Sequence, residues 1–494
     1  MAIRNKIVFF VNEKRIEADE REAQMMLADF LRYRGWTGTK VVCAEGDCGA
    51  CTVLRYKVSP TTNSAIKNFK DANDWTPLNS CIAMVAQMDG SIIATIDGLA
   101  KRGDNDQIEL TEPQRAMMDC HASQCGYCTP GFVMALTGLV EKVLPDGKLN
   151  EQGAKNAFTG NLCRCTGYKP IIEAAVNVDL RKCESLSFRF LNEDHLNELC
   201  SLSKDSVLLK SDSFLYFAPT TLQEAVHWLG ENPEARIMGA LTDLGVLINK
   251  RKIQVSKWIN LDAITELHEI NTVTEDCVSV GARVSLSRLR EFIKPLVPEF
   301  ANLLDIFASP QIKNVATLVG NVANASPIGD TPPFLLSADA KVSIIGLEGR
   351  REIDLTQFYL GYRQTVLKKG ELITSIQFKI PKSDDMIWIK KVSERKDLDI
   401  SSVNVAFWLV WKDRKKKIIS SLKMSAGGLA ATPVRFFEAE ALAQEQILTK
   451  EFVDSFVICA QGEVRPMSDV RGSSSFRRVL LENLIRRFFL EALK

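Results

Sequence analysis

Histidine is scarce: His121, His195, His227 and His268 are the only four in 494 residues. No two stand at the spacing that sets imidazoles on one helix face, which argues against a histidine-built hydrolytic zinc site. No Ser/His/Asp set or paired carboxylates suggest a hydrolytic cleft. No apolar run approaches the ~18 residues of a membrane span. Met1–Glu20 carries a short apolar stretch, Ile7–Val11, before turning charged, so a secretory signal is not expected and a cytoplasmic location is. An excess of one charge is missing too: 62 Lys+Arg against 61 Asp+Glu leave a net charge of +1. That balance argues against a general attraction to nucleic acid or anionic membrane and leaves local patches open. No G-x-G-x-x-G follows a strand pattern, so a Rossmann dinucleotide site is not supported. There is no internal repeat or low-complexity segment.

What is present in excess is cysteine. Nine of the 13 lie between Cys43 and Cys165, leaving Cys183, Cys200, Cys277 and Cys459 for the rest. In a reducing compartment such crowding favours metal or redox chemistry over disulfides. The outlying four and Cys120 read as ordinary buried or packing thiols. Otherwise 46% hydrophobic and 25% charged residues are those of a globular protein, and the length suggests roughly three domains at ~150 residues each.

Pattern reading gives a hairpin over Ile7–Val11 and Arg15–Ala18, a helix over Ala23–Tyr33 and a strand at Ser91–Ile96. This is a small α+β domain, 1–97. Residues 98–180 read as all-helical. Thr111-Glu112-Pro113 and Pro130-Gly131 start helices, a turn falls at Pro145-Asp146-Gly147, and helices follow near 150–158 and 169–178. Residues 181–210 show no firm period and are expected to be a connector. Beyond lies mixed α/β: a helix at 220–229, a strand at 236–238, a helix from about Thr242, and strands at 340–346 and 371–380. Strands at 403–411 and 418–425 flank Lys412–Lys417, a charge run expected to be a solvated turn rather than a binding patch. A helix over 476–493, amphipathic through Leu480, Leu484, Phe488 and Leu493, ends the pattern.

Two cysteine quartets carry the chemistry. Cys43-x4-Cys48-x2-Cys51, with Cys81 further on, has the spacing of plant-type 2Fe–2S sites. Zinc knuckles come as two C-x2-4-C pairs, and this spacing is lopsided. Gly46 and Gly49 allow the tight loop that turns N–H groups toward sulfur. For Cys125-x2-Cys128 with Cys163-x-Cys165, zinc and 2Fe–2S fit equally by spacing.

AEGDCGACTV around the first quartet, QCGYCTPG at 124–131 and NLCRCTGY at 161–168 together resemble the xanthine dehydrogenase and aldehyde oxidase family of molybdenum hydroxylases. The resemblance implies a second 2Fe–2S cluster in the helical domain, lying nearer the molybdenum cofactor, with Gln124 matching a pterin contact. The plant-type cluster would lie nearer a flavin.

Two stretches that are weak phosphate or cofactor signals alone gain meaning beside that resemblance. Ile237, Met238, Gly239, Ala240, Leu241, Thr242 and Asp243 resemble the family's first flavin loop. Phe307, Ala316, Thr317, Gly320, Asn321, Asn324, Ser326 and Asp330 resemble the second. Leu372, Ile373 and Lys391 fall where the family lines its flavin, and Lys391–Ser401 resembles its mobile loop there. Ser425–Gly428 through Thr432-Pro433, and SDVRGSSSFRR, resemble its C-terminal FAD subdomain. Four positions depart from the pattern: Val42, Val319, Ala240 and Leu241 add bulk where the family has smaller residues.

The implied fold is α+β multidomain. It comprises a plant-type ferredoxin (β-grasp) domain, an α-helical 2Fe–2S bundle, an FAD-binding domain of the vanillyl-alcohol-oxidase type (211–383) and a C-terminal FAD subdomain (384–494). The implied activity is that of an iron–sulfur/FAD subunit with two 2Fe–2S clusters and FAD. Its partner would be a molybdopterin-binding large subunit in an α2β2 assembly, acting on a purine, with NAD+ as acceptor. No residue of this chain is assigned to the substrate chemistry. A related hydroxylase of aldehydes, N-heterocycles or carbon monoxide, and a zinc-stabilised scaffold without turnover, remain open alternatives.

Overall fold

A computed structural model describes residues 3–58, 75–103, 107–144 and 147–494. The turn expected at Pro145-Asp146-Gly147 has its first two residues outside this set. The chain divides into two compact units, 1–265 with 309–316, and 266–308 with 317–494. This division runs through the segment 211–383.

In the first unit a five-stranded sheet runs Lys14–Ala18, Ile7–Val11, Ser91–Ala94, Thr52–Lys57, Thr76–Asn79. Ile7–Val11 and Lys14–Ala18 form the expected hairpin, and Ile7–Val11 pairs parallel with Ser91–Ala94. Every residue of Ile7–Val11 is buried because both faces of the sheet are covered. Phe9 packs 5.7 Å from Phe30 of helix Leu27–Tyr33. Phe10, Leu54 and Ile92 belong instead to the core of the helical segment. The helix expected from Ala23 is broken in two, Glu20–Ala23 and Leu27–Tyr33. Met26 leaves the helix to bridge Met84, a tertiary pairing that overrides the local period.

Helices Glu112–Asp119, Thr129–Val143, Glu151–Ala157 and Lys169–Val176 follow. The first is opened by Gln114 Oε1 accepting from Thr111 N at 2.9 Å, with Pro in its first turn. Residues 181–210 are not a connector: they form helices Leu186–Phe190 and Glu193–Leu202 and strand Ser206–Lys210. A five-residue helix is too short to show a period. It is held from outside, by the buried Glu141 carboxylate accepting from Leu186 N at 2.9 Å and Ser185 Oγ at 3.0 Å.

A second sheet runs Ile3–Arg4, Ser206–Lys210, Leu215–Ala218, Lys257–Asn260, Arg236–Met238. Helix Leu222–Glu231 is capped by Thr221 and Glu224. The helix expected from Thr242 starts at Leu244.

In the second unit one sheet runs Ile270–Thr274, Cys277–Gly281, Leu372–Lys379, Lys341–Gly346, Gly349–Asp354. Another runs Met386–Val392, Val403–Asp413, Ile418–Gly427, Val434–Arg435. The charge run turns tightly after Asp413, with Lys417 at φ +57° and Lys416 N donating to Asp413 Oδ1 at 3.0 Å. Helix Ser474–Ala492 buries Leu481, Leu484, Ile485, Phe488 and Phe489. Leu480 sits at the margin of that core and Leu493 is exposed.

Candidate metal centres and flavin loops

The segment before strand Thr52–Lys57 has no regular structure between Lys40 and Ala50. Ala44, Gly46 and Gly49 take φ of +54°, +74° and +67°, curling the backbone so that N–H groups face sulfur. Glu45 N lies 3.4 Å from Cys43 Sγ. The N–H groups of Ala50 and Gly46 lie against the sulfurs of Cys48 and Cys81. A Cβ on Gly46 would overlap Ile82 Cδ1. Cys51 and Cys81 are buried beside Ala28 and Ile82, with Val41, Val246 and Ile312 around them. Two asparagines that sequence reading passed over fix this loop. Asn79 Nδ2 donates to Gly46 O at 2.6 Å, and Asn249 Nδ2 donates to Ala44 O at 2.9 Å and Cys81 O at 2.8 Å.

The second quartet sits at two helix starts, with Cys128 preceding Thr129–Val143 and Cys163–Cys165 preceding Lys169–Val176. Gly126, Gly167 and Tyr168 take positive φ. Tyr168 tolerates it because its hydroxyl accepts from Cys163 N at 3.1 Å and its own N–H donates to Thr166 Oγ1 at 3.2 Å. Cys125, Cys165 and Gln124 are exposed, while Cys163 is buried. Around them Tyr127, Leu162 and Tyr168 are exposed apolar groups.

All thirteen cysteines are free thiols. Within the first quartet Cys43 meets Cys48 and Cys81, and Cys51 meets Cys81. In the second Cys125 meets Cys165, and Cys128 meets Cys163. Hydrogen bonds from Cys48 and Cys81 push the Cys43 thiol down, while Cys48 and Cys81, as donors, are pushed up. Burial, with Cys163 adjacent, pushes Cys128 up to about 12. The Tyr127 N–H and Cys165 pull Cys125 down. Thiols this close share protons that a cation displaces on binding. Among the described residues no three His, Cys, Asp or Glu side chains close round a single metal ion. An all-thiolate donor set, ringed by N–H groups and with glycine where a side chain would intrude, fits a 2Fe–2S cluster chemically.

The two quartets are neighbours. Leu162 N donates to Cys48 O at 3.0 Å, and a Cβ on Gly131 would overlap Gly49 O.

The loop at 237–243 leaves strand Arg236–Met238 and borders a small pocket. Ala240 and Thr242 line it together with Arg55, Asn79, Ile82 and Gln87. Gln87 Nε2 donates to Gly239 O at 3.1 Å. Leu241 is buried with φ +58°, a costly backbone for a branched side chain. Its burial in the core explains how a position suited to glycine carries leucine. Met238 is core, Ile237 half-buried, and Asp243 precedes the helix without capping it. Ala316 closes the segment of the first unit that contains Gln311 and is buried.

In the second unit Thr317 caps helix Leu318–Ala323, its Oγ1 accepting from Gly320 N at 2.9 Å. Val319 is buried, so its extra bulk faces the core, while Gly320 is exposed. Asn321 Oδ1 is occupied by Thr331 Oγ1 at 2.6 Å. Asn324 and Ser326 are half-buried at the turn that follows. Asp330 is buried and pairs with Lys391 Nζ at 2.7 Å, a lysine whose side chain is only 1% exposed. Ser401 Oγ donates to its Oδ1 at 2.5 Å, and Asn404 Nδ2 to its carbonyl at 2.7 Å. Burial pushes the Asp330 carboxyl up, and Lys391 pulls it back in part. Leu372 and Ile373 are paired sheet residues buried in the core, and Phe307 ends helix Pro298–Phe307 half-buried. Arg477, 2% exposed, donates to Ser402 O at 2.6 Å and Gly428 O at 2.8 Å. It joins the SDVRGSSSFRR segment to the glycine turn after Ile418–Gly427.

Four family profiles match in order. Residues 9–86 match a 2Fe-2S iron-sulfur cluster binding domain, 95–176 a [2Fe-2S] binding domain, and 211–383 an FAD binding domain in molybdopterin dehydrogenase. Residues 388–492 match the CO dehydrogenase flavoprotein C-terminal domain. Over 98% of the chain it is 28% identical to a xanthine dehydrogenase of Drosophila pseudoobscura pseudoobscura, and over 99% it is 27% identical to a xanthine dehydrogenase/oxidase of Gallus gallus. The chain spans 39% and 40% of those two relatives. Among solved structures, quinoline 2-oxidoreductase from Pseudomonas putida 86 shares 25% identity with a TM-score of 0.52, over 58% of this chain and 98% of that one. A carbon monoxide dehydrogenase from Hydrogenophaga pseudoflava has the same fold at 23% identity and a TM-score of 0.53, over 56% and 96%. Among the described residues no helix is long and apolar enough to cross a membrane.

Proposed function

We propose that this chain, which matches two 2Fe-2S domain profiles and an FAD-binding domain profile, is the electron-transfer subunit of a xanthine dehydrogenase, a molybdenum hydroxylase. It serves a molybdopterin-binding large subunit in an α2β2 assembly, with a purine as the partner's substrate and NAD+ as acceptor. The observation that carries the proposal is the packing of two four-cysteine sites into one unit, joined through Leu162 N and Cys48 O. When bound, the clusters carry single electrons and FAD exchanges electrons singly or in pairs.

The chain's own residues supply the housing. Cys43, Cys48, Cys51 and Cys81 would hold one cluster, with Asn79 and Asn249 fixing the loop. Cys125, Cys128, Cys163 and Cys165 would hold the other. The second set lies at the surface with Gln124, Tyr127, Leu162 and Tyr168 exposed around it, the place for a protein partner that brings a pterin. Residues 237–243, with Ala316, and the set Phe307, Thr317, Gly320, Asn321, Asn324, Ser326, Asp330, Leu372, Ile373 and Lys391 are the proposed flavin contacts. Because Leu372 and Ile373 are core side chains, they would shape the flavin wall through their backbone.

Anaerobic purification followed by metal and flavin assay tests this reading. About four Fe and one FAD per chain are expected, given two sites of two irons. About two Zn without flavin would overturn it in favour of a scaffold. Bleaching of the flavin by NADH checks the acceptor. A co-purifying molybdenum chain, assayed on hypoxanthine, quinoline and carbon monoxide, checks the substrate.

A further inference from the structure

Gln311 and Asn161 are buried amides on segments remote in sequence, with 0% and 2% exposure. Gln311 Nε2 donates to Asn161 Oδ1 at 2.8 Å and to Thr52 Oγ1 at 3.3 Å. Asn161 Nδ2 donates to Gly49 O at 3.1 Å, and Thr52 Oγ1 donates to the same carbonyl at 2.6 Å. The four groups form a closed ring, Gly49 O–Asn161–Gln311–Thr52. Its polarity has one solution. A carbonyl only accepts, so Asn161 must offer Nδ2 to Gly49 and is left presenting Oδ1, which needs the Gln311 donor. Gln311 Oε1 has no hydrogen-bond partner and abuts Gly160, where any Cβ would overlap it. A buried amide with an unmet oxygen opposes folding, so the ring is not explained by stability alone.

What the ring holds is one peptide plane. Across a trans peptide the C=O and N–H point in opposite directions. The carbonyl of the Gly49–Ala50 peptide is gripped by Thr52, through both N and Oγ1, and by Asn161, while its N–H belongs to Ala50 and lies against the Cys48 sulfur. Gripping one end therefore aims the other. Donors to a cluster sulfur favour the reduced, more negative state and so raise the reduction potential.

We infer that Thr52, Asn161 and Gln311 are positioning residues that set the reduction potential of the plant-type site, by holding the Gly49–Ala50 peptide with its N–H on Cys48. The inference deepens the two-cluster reading above and rests on it. Because Asn161 also neighbours Leu162 and Cys163, the ring holds this donor in register with the second quartet.

The test uses the full chain with Thr52→Val and Gln311→Met, each close in shape to the native side chain and lacking its hydrogen-bonding groups. Redox titration followed by low-temperature electron paramagnetic resonance reads both cluster signals. Each variant is expected to lower the plant-type midpoint by roughly tenfold in its one-electron equilibrium, ~59 mV, with the other signal unmoved. Because both act on one peptide, the double variant should shift less than the sum of the singles. Unchanged midpoints, a shift confined to the helical signal, or strictly additive shifts would overturn the inference. So would loss of iron from both variants, which marks a purely structural ring. If Thr52→Val alone loses iron, Gln311→Met decides, since it lies outside the cysteine loop. An unsubstituted chain with no cluster signal would sink the two-cluster reading itself. Two native signals with unmoved variants would sink only the inference.

Discussion

The N–H of Leu162 donates to the carbonyl of Cys48 across 3.0 Å, so a residue beside one quartet is tied to a member of the other. Leu162→Pro removes that donor and pushes Asn161 toward extended backbone. Leu162→Ala keeps both. The alanine variant should hold the native iron content and the proline variant should lose at least half, by iron assay of protein purified side by side.

The eight quartet cysteines and the other five thiols should separate cleanly. Serine at any of Cys43, Cys48, Cys51, Cys81, Cys125, Cys128, Cys163 or Cys165 is expected to remove about two of about four irons, one cluster's worth. Serine at Cys120, Cys183, Cys200, Cys277 or Cys459 should remove none. Cys120 is the stringent case, since Asn177 Nδ2 already sits 3.5 Å from its sulfur. Iron retention there would place it among the packing thiols.

Asp330 pins both ends of the segment 391–401, through Lys391 and Ser401. Lys391→Met leaves a buried carboxylate unpaired, a change that typically costs about 3–5 kcal/mol. Trypsin cleavage after Arg395 and Lys396 should accelerate accordingly. Asp330→Asn combined with Lys391→Met should recover part of the protection, because no lone charge remains. Equal cleavage in the single and double variants would show that the pair does not hold the loop.

Asp339 sits at φ +50° and receives Lys379, Lys423 and Arg435 together. Burial pushes its carboxyl up, but hydrogen bonds from Lys423, Lys379 and Arg435 outweigh that and hold it far below the usual range. A depressed folded value means the stabilisation is complete above the unfolded pKa of about 3.9 and fades as pH falls further. Asp339→Asn should weaken hydrogen-exchange protection of strand Ile418–Gly427 by about 2 kcal/mol. The gap to the native chain should stay constant from pH 8 to 5 and narrow only below about pH 4.

The quartets were legible because their spacing is a local property: three of the first four ligands fall within nine residues and shape their own loop. The Ile7–Ala18 hairpin was legible for the same reason. The split of the 23–33 helix was not, because Met26 answers to Met84. Nor was the order in 181–210, where Glu141 holds a five-residue helix from a distance. The polar groups that hold the cluster loop, Asn79, Asn249, Asn161 and Gln311, carry no sequence signature. A buried amide looks like a surface amide until its partner arrives from elsewhere in the chain.

The parallel pairing of Ile3–Arg4 with Ser206–Val207 bears on how the molecule is made. Arg4 also binds Asp89 at 2.7 Å and Leu202 O at 3.1 Å, so the first described strand is fastened only once a stretch about 200 residues later has appeared. At the ~5–20 residues per second of synthesis, that leaves roughly 2–8 seconds between the appearance of Cys165, the last quartet cysteine, and the arrival of this strand's partner. Cofactor delivery during translation would then meet both quartets while the sheet led by Ile3–Arg4 is still incomplete.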